Sequence, residues 1–229
     1  ILAAGGSATD AAIAVMLALT VVEPESSGIG GGGFMVRAEA DTGKLVTYDG
    51  RETAPAAATP TRFLDASGKV LGRESRVFSG LSVGVPGNIA LAAKAHAAHG
   101  KLPWAKLFEP AITLAEGGFV MNKRLYESLK GNKGRADKSD EARAIFFGAD
   151  GEPLPLGATV KVPALAETFR TLAAEGPAAM YGSAAAARLA AYVAGETPQD
   201  GRMTPADVTG YTAKERAPVC IRYRVYKVC

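Results

Sequence analysis

A run of glycines constrains this chain more than any other feature. Residues 28–33 read Gly-Ile-Gly-Gly-Gly-Gly. They follow a predicted buried helix that starts with a cap at Ser7 and Asp10 and ends near Thr20. A strand pattern comes next, from Phe34 to Ala40. Phosphate-binding loops need the order strand, glycine loop, helix, and the order here is helix, loop, strand. The run therefore indicates a backbone that passes close to another segment, and direct contact with a ligand is the second interpretation.

The rest of the pattern alternates helices and strands without an internal repeat. The residues 41–43 predict a turn into a second strand, Leu45–Asp49. Proline at the first helical position after Thr204 indicates another capped helix start. The run Gly131–Asp140 predicts a solvated loop. Apolar periodicity and glycine or proline ends predict further helices over Asn88–His99, Pro103–Glu116, Lys123–Leu129, Val162–Ala174 and Ala184–Ala194.

Composition excludes several classes of protein. The 229 residues carry 26 basic and 23 acidic side chains, a net charge of +3. Nucleic-acid binding would need a clear basic excess, so we expect no nucleic-acid partner. Hydrophobic residues make up 48% of the chain, enough to bury a sizeable core. The longest apolar run, Ala11–Val22, is too short for a membrane span of about 20 residues.

The cysteines leave the redox compartment open. Cys220 and Cys229 are nine residues apart, a spacing that fits no zinc site. The segment 219–229 alternates like a β-hairpin, and a two-residue turn at Arg224-Val225 would place the cysteines opposite each other. That arrangement permits a disulfide, but two small hydrophobic residues in a sheet is the favoured interpretation. We expect no metal and no organic cofactor.

Candidate chemical groups are few. Arg51 follows Asp49-Gly50 at the end of the second strand, where a guanidinium can grip a carboxylate with two hydrogen bonds. Taken alone, a surface arginine in a salt bridge is the favoured interpretation. Glu52 would point to the opposite face of a strand and is expected in a structural ion pair. His96 and His99 are expected to be exposed and without a role. No nucleophile motif is present, so the residues predict binding and no catalytic group in this chain.

The order of these segments resembles the large subunit of the γ-glutamyltranspeptidases. The resemblance extends in order over essentially all 229 residues. It is carried by Gly5-Gly6-Ser7-Ala8-Thr9-Asp10-Ala11-Ala12, residues 23–35, Asp49-Gly50-Arg51-Glu52-Thr53-Ala54-Pro55, Gly84-Val85-Pro86-Gly87, Leu102-Pro103-Trp104, Pro110-Ala111, residues 114–119, Tyr181-Gly182, Thr204-Pro205-Ala206-Asp207 and Tyr223-Arg224-Val225-Tyr226. Three positions depart from the usual pattern: Ser7 replaces Asn, Glu25 replaces Gln, and Val225 replaces a turn glycine.

The resemblance implies a fold and an activity. The fold would be the α+β, four-layer αββα sandwich of the N-terminal-nucleophile hydrolases, of which this chain forms an incomplete part. A precursor would cut itself, and the new N-terminal Thr of the small subunit would attack the γ-amide of glutathione-like donors. Water or an amino acid would then accept the γ-glutamyl group. Arg51 would bind the donor's α-carboxylate.

The same resemblance implies an incomplete chain. We expect residues 1–229 to be a single-domain segment, truncated at both ends and completed by a small subunit from the same precursor. A periplasmic or secreted location is implied by the resemblance. Two alternatives stay open: an acylase for glutaryl-cephalosporin-like amides within the same superfamily, and a non-catalytic structural or binding homologue.

Overall fold

A computed structural model describes residues 1–198 and 201–229 of the chain. Short 3-10 turns within these residues lie at Leu2–Ala4, Gly80–Ser82 and Trp104–Leu107. The helices are α1 (Ala8–Val22), α2 (Arg73–Val77), α3 (Asn88–His99), α4 (Glu109–Gly117), α5 (Lys123–Gly131), α6 (Asp140–Phe146), α7 (Pro163–Glu175), α8 (Ala178–Tyr181), α9 (Ser183–Gly195) and α10 (Pro205–Thr209). The strands are β1 (Gly33–Ala38), β2 (Leu45–Gly50), β3 (Phe119–Val120), β4 (Thr159–Val160), β5 (Lys214–Arg216), β6 (Ile221–Tyr223) and β7 (Tyr226–Val228).

The contacts group the chain into two compact units. The first comprises residues 1–28 and 100–176, and the second comprises residues 29–99 and 177–229. Each unit is therefore assembled from two separate stretches of sequence. The single-domain prediction over 1–229 stays a prediction.

The first unit is built mainly from helices, and β3 and β4 pair antiparallel within it. A capping box starts α1: the Ser7 hydroxyl accepts from the Asp10 amide, and the Asp10 carboxylate accepts from the Ser7 amide. Helix α4 packs against both α1 and α7. Phe108 and Phe169 are fully buried and meet edge to face, with ring centroids 6.1 Å apart. The Trp104 indole donates to the Leu172 carbonyl, which satisfies its one polar group.

The predicted helix Pro103–Glu116 is two elements. A 3-10 turn ends at Leu107, and α4 begins at Glu109. Pro110 has no amide hydrogen and cannot continue a helix that began before it, so the chain restarts there with proline in the first turn. The prediction of one continuous helix was wrong.

The second unit contains an antiparallel sheet with strand order β1-β2-β5. One face packs on α3 in a core of Val46, Tyr48, Leu91, Ala95 and Ala213. On the other face of β1, Phe34 and Val36 are 63% and 56% exposed. Only one face of this sheet is therefore covered by the described residues.

The C-terminal hairpin forms as predicted, with Tyr223 opposite Tyr226 and a two-residue turn at Arg224-Val225. Among the described residues, Arg224 is the one non-glycine residue with a positive φ, at 54°. Val225 therefore needs no left-handed backbone, which explains why glycine is dispensable there. Cys220 and Cys229 are joined by a disulfide. The favoured interpretation of two unbonded cysteines was wrong, because the hairpin register places their Cα atoms 4.1 Å apart.

Most other predicted elements are confirmed within a few residues. The first strand ends at Ala38, two residues early, and α1 continues two residues further, to Val22. The capped start at Thr204 is confirmed as a second capping box. The predicted loop Gly131–Asp140 ends at Ser139, whose hydroxyl caps α6. Sequence reasoning did not predict α2, α6, α8 or the short strands β3, β4 and β5.

Candidate functional site

Arg51 lies directly after β2, at the edge of a cavity in the second unit. The cavity has a volume of about 330 Å³ and is lined by residues 51–55 and 81–84 together with Arg62 and Phe63. The Arg51 side chain is 61% exposed. Its guanidinium is therefore accessible to a ligand in the cavity.

Glu52 forms an ion pair with Arg51. Its Oε2 atom lies 2.7 Å from the Arg51 Nη1 atom, but the contact lacks the angle of a hydrogen bond. The predicted ion pair of Glu52 is confirmed. The prediction that the two side chains point apart was wrong, because β2 ends at Gly50 and strand alternation ends with it.

The backbone of Arg51 is held on both sides. Its amide donates to Asp49 Oδ1 at 2.9 Å, and its carbonyl accepts from the Tyr211 hydroxyl at 2.7 Å. Asp49 Oδ2 accepts from Arg216 Nε at 2.6 Å. The hydrogen bond from the Arg51 amide, followed by that from Arg216, holds the pKa of the Asp49 carboxyl below its usual range. Sequence reasoning missed Tyr211 and Arg216, which lie about 160 residues further along the chain and have no local motif.

Glycines bring the surrounding segments into contact with residues 50–52. A Cβ atom on Gly32 would lie 2.5 Å from the Gly50 carbonyl oxygen and 2.6 Å from the Glu52 amide. One on Gly87 would lie 2.0 Å from that same carbonyl oxygen. The amide of Gly87 donates to the Gly31 carbonyl, which joins the two glycine segments. The interpretation of the glycine run as a close backbone approach is confirmed.

The histidines do not complete an acid–base site. His99 Nε2 lies 2.7 Å from the Tyr48 hydroxyl, and Tyr48 is 2% exposed. The expectation that His99 is an exposed residue without a role was wrong, since it provides the hydrogen bond of a buried tyrosine. Within residues 1–198 and 201–229, no cluster of three or more His, Cys, Asp or Glu side chains could hold a metal ion. The described residues around the cavity edge therefore present one exposed guanidinium, that of Arg51, on a backbone held by Asp49 and Tyr211.

The family model for γ-glutamyltranspeptidase matches residues 1–229. The chain belongs to the γ-glutamyltranspeptidase family. The family predicted from the sequence segments is confirmed. A glutathione hydrolase proenzyme of Bacillus subtilis is 37% identical over 230 residues, covering 100% of this chain and 38% of the relative. Acylase ACY 1 proenzyme of Pseudomonas is 36% identical, again over 100% of this chain and 41% of the relative.

Among solved structures, Helicobacter pylori γ-glutamyltranspeptidase matches with a TM-score of 0.88 and 34% identity, over 99% of this chain and 64% of that one. The predicted fold class is confirmed, with this chain as part of the N-terminal-nucleophile hydrolase fold. The chain spans less than half the length of the curated relatives it matches. No helix among the described residues is long and apolar enough to cross a membrane.

Proposed function

We propose that this chain is the donor-binding part of a γ-glutamyl hydrolase or transferase and that Arg51 binds the α-carboxylate of the donor. The observation that carries the proposal is an exposed guanidinium at the edge of a cavity, on a backbone hydrogen-bonded on both sides, in a chain of this family. A γ-glutamyl group carries its α-carboxylate a fixed number of bonds from the scissile amide. A fixed cation can therefore place that amide against a nucleophile.

The reaction would use a nucleophile outside this chain. The hydroxyl of an N-terminal Thr on a partner from the same precursor would attack the γ-carbonyl while its α-amine takes the proton. The amide C–N bond would break, and the leaving amine would depart with that proton. Water or an amino acid would then cleave the γ-glutamyl ester and regenerate the Thr hydroxyl. Arg51 would hold the substrate through both steps.

Arg51 can accept a ligand without losing Glu52. The present pair joins one nitrogen of the exposed Arg51 guanidinium to one oxygen of the partly buried Glu52 carboxylate. A guanidinium carries five N–H donors, so a donor carboxylate can bind its other N–H groups while Nη1 stays beside Glu52. The match to a family whose relatives include proteins named glutathione hydrolase supports a γ-glutamyl donor.

An acylase for glutaryl amides is the second candidate, favoured by the 36% identity with acylase ACY 1 proenzyme. A glutaryl group has the same carboxylate as a γ-glutamyl group but lacks the α-amine. Arg51 would serve either donor, so the choice between them depends on the groups that meet the amine. A homologue that only binds would hydrolyse neither.

The partner and location are part of the proposal. Relatives named proenzymes support a partner chain cut from the same precursor. The disulfide between Cys220 and Cys229 supports an oxidising compartment, and we propose a periplasmic or secreted location.

The test uses the full-length, self-cleaved protein and three chromogenic anilides: γ-glutamyl, glutaryl and 4-aminobutanoyl, the last lacking the carboxylate. Arg51→Ala should lower kcat/KM for the γ-glutamyl anilide roughly 30- to 5,000-fold, because the α-carboxylate of the bound donor would be left desolvated and unpaired, at a cost of about 2–5 kcal/mol. Arg51→Lys should recover only part, since an ammonium lacks the two-pronged geometry. Turnover of the 4-aminobutanoyl anilide should not change.

The matched control is Arg124→Ala. Arg124 is 65% exposed and also forms ion pairs with glutamates, at Glu23 and Glu25, but it does not line the cavity. Its loss should leave turnover unchanged. Cleavage of the precursor must be checked in each variant. A correctly cleaved Arg51→Ala enzyme with wild-type kinetics would return Arg51 to the role of a surface salt-bridge residue.

A further inference from the structure

We propose that Tyr211 is a positioning residue for Arg51, acting through the Arg51 carbonyl, with Asp49 fixing the amide of the same residue. The inference rests on the proposed function, because it concerns how the donor-binding guanidinium is held. Neither residue needs to touch the donor.

Two hydrogen bonds hold the backbone of Arg51, one at its carbonyl and one at its amide. Tyr211 donates to the carbonyl oxygen at 2.7 Å, and Asp49 accepts from the amide at 2.9 Å. Each of the two peptide groups that flank the Cα atom of Arg51 is therefore held by one hydrogen bond. The other oxygen of Asp49, Oδ2, accepts a hydrogen bond from Arg216 Nε at 2.6 Å, so Asp49 is also paired with this second cation.

Tyr211 is itself held by the second unit. Its ring stacks on Tyr181 at 6.0 Å with an interplanar angle of 16°. The Tyr181 hydroxyl donates to the Pro86 carbonyl and accepts from the Ala90 amide, which ties the pair to the start of α3. The Tyr211 hydroxyl reaches Arg51 across Gly87, where a Cβ atom would lie 2.3 Å from the hydroxyl oxygen.

The Tyr211 hydroxyl stays protonated and can donate its hydrogen bond throughout the neutral pH range. Burial, and then the carboxylates of Asp49 and Glu52, raise the pKa of the Tyr211 hydroxyl, so it keeps its proton across the neutral range. Because Arg51 follows the last residue of β2, the sheet no longer holds its carbonyl. The Tyr211 bond takes the place of a strand partner. Loss of this bond would loosen the guanidinium and weaken its contact with the donor carboxylate equally in the ground state and the transition state.

The experiment compares Tyr211→Phe with Tyr192→Phe in the full-length, self-cleaved protein. Tyr192 lies on α9 and is 72% exposed, so its variant loses a hydroxyl away from the cavity. Tyr211→Phe should raise KM for the γ-glutamyl anilide about 2- to 12-fold with kcat unchanged, the loss expected from one net hydrogen bond. KM for the 4-aminobutanoyl anilide should not change, and Tyr192→Phe should match wild type with both.

Comparing Asp49→Asn with Asp49→Ala tests the role of Asp49. Asp49→Asn keeps an oxygen that can accept from the Arg51 amide, so it should retain more affinity for the γ-glutamyl anilide than Asp49→Ala. Equal effects of the two variants would overturn the assignment of Asp49.

Amide hydrogen exchange measures local opening of the backbone around Arg51 and does not depend on turnover. The amides of residues 50–53 should exchange faster in Tyr211→Phe and at the wild-type rate in Tyr192→Phe. If Arg51→Ala lowers kcat/KM for the γ-glutamyl anilide while Tyr211→Phe keeps the wild-type KM and the wild-type exchange rates, the inference is wrong and the proposed function stands. If Arg51→Ala has no effect on the γ-glutamyl donor, both are wrong.

Discussion

Two glycines from the same run differ in what surrounds them. An added Cβ at Gly32 would meet backbone atoms of Gly50 and Glu52 within 2.6 Å, whereas one at Gly30 meets nothing within 4 Å. Backbone atoms cannot move aside as a flexible side chain can. Position 32, which lies against Gly50 and Glu52, is therefore the one that requires glycine.

We expect Gly32→Ala to lower the free energy of unfolding by about 1–3 kcal/mol, the usual cost of overpacking. It should also raise KM for the γ-glutamyl anilide, because the clash pushes on Glu52 and hence on Arg51. Gly30→Ala should be neutral or slightly stabilising, by up to about 1 kcal/mol, since alanine restricts the unfolded chain. Denaturant unfolding of both variants measures the difference. Equal stability of the two would show that segments 31–32 and 50–52 do not pack as closely as the structure indicates.

Residues in a contiguous motif could be predicted from the sequence, whereas residues whose partners lie far along the chain could not. Arg51 could be found because it lies in a contiguous motif, Asp49-Gly50-Arg51-Glu52. Tyr211 could not, because its contact with Arg51 joins residues 160 apart and a lone tyrosine has no spacing to mark it. His99 was misjudged for the same reason: its partner, Tyr48, lies 51 residues away.

At the scale of elements, Asp10 joins one helix to a distant segment. Its Oδ2 atom accepts from the Ser7 amide at 2.8 Å and from the amides of Lys101 and Leu102 at 2.9 and 3.2 Å. Burial by itself would raise the pKa of this carboxyl, but the hydrogen bonds from Ser7, Lys101 and Leu102 lower it overall. The charged form is therefore the one that stabilises the first unit.

Asp10→Asn should lower the free energy of unfolding at pH 7 by about 1–3 kcal/mol, since hydrogen bonds to a charged group exceed neutral ones. The folded pKa lies below the unfolded value of about 3.9, so the stabilisation is complete above that pH and is lost as pH falls through the folded pKa. Denaturant unfolding at pH 7 and near pH 2.5 should therefore show a smaller difference in acid. Asp41→Asn, in the exposed turn after β1, is the control. A difference that stays constant with pH would contradict the assignment.

Elements with strong local signals were predictable. Capping residues located the starts of α1 and α10, and the alternating residues located β1, β2 and the hairpin. The short strands β3, β4 and β5 have two or three residues each, too few for a period to show, and they exist only through pairing with distant partners. The disulfide depends on the register of the hairpin. The sequence is compatible with the register that joins the cysteines but does not by itself select it.

At the scale of the whole molecule, the second unit leaves apolar surface uncovered. Besides Phe34 and Val36 on β1, exposed apolar side chains of the hairpin include Ile221, Tyr223 and Val225. Proteins rarely leave such surface open to water, and a two-stranded hairpin by itself is only marginally stable. The partner chain proposed above, cut from the same precursor, would cover these surfaces.

In the proposed mechanism, residues 1–229 bind the donor and the partner chain supplies the nucleophile. Residues 1–229 expressed alone should show no turnover of the γ-glutamyl anilide above buffer, because the proposed nucleophile lies on the partner chain. Co-expression with the remainder of the precursor should restore turnover, and size-exclusion chromatography should then recover the two chains together. Arg51→Ala in the co-expressed pair should still co-elute but turn over the donor poorly, which separates assembly from donor binding. Robust turnover by the 229 residues alone would overturn both the placement of the nucleophile and the role assigned to this chain.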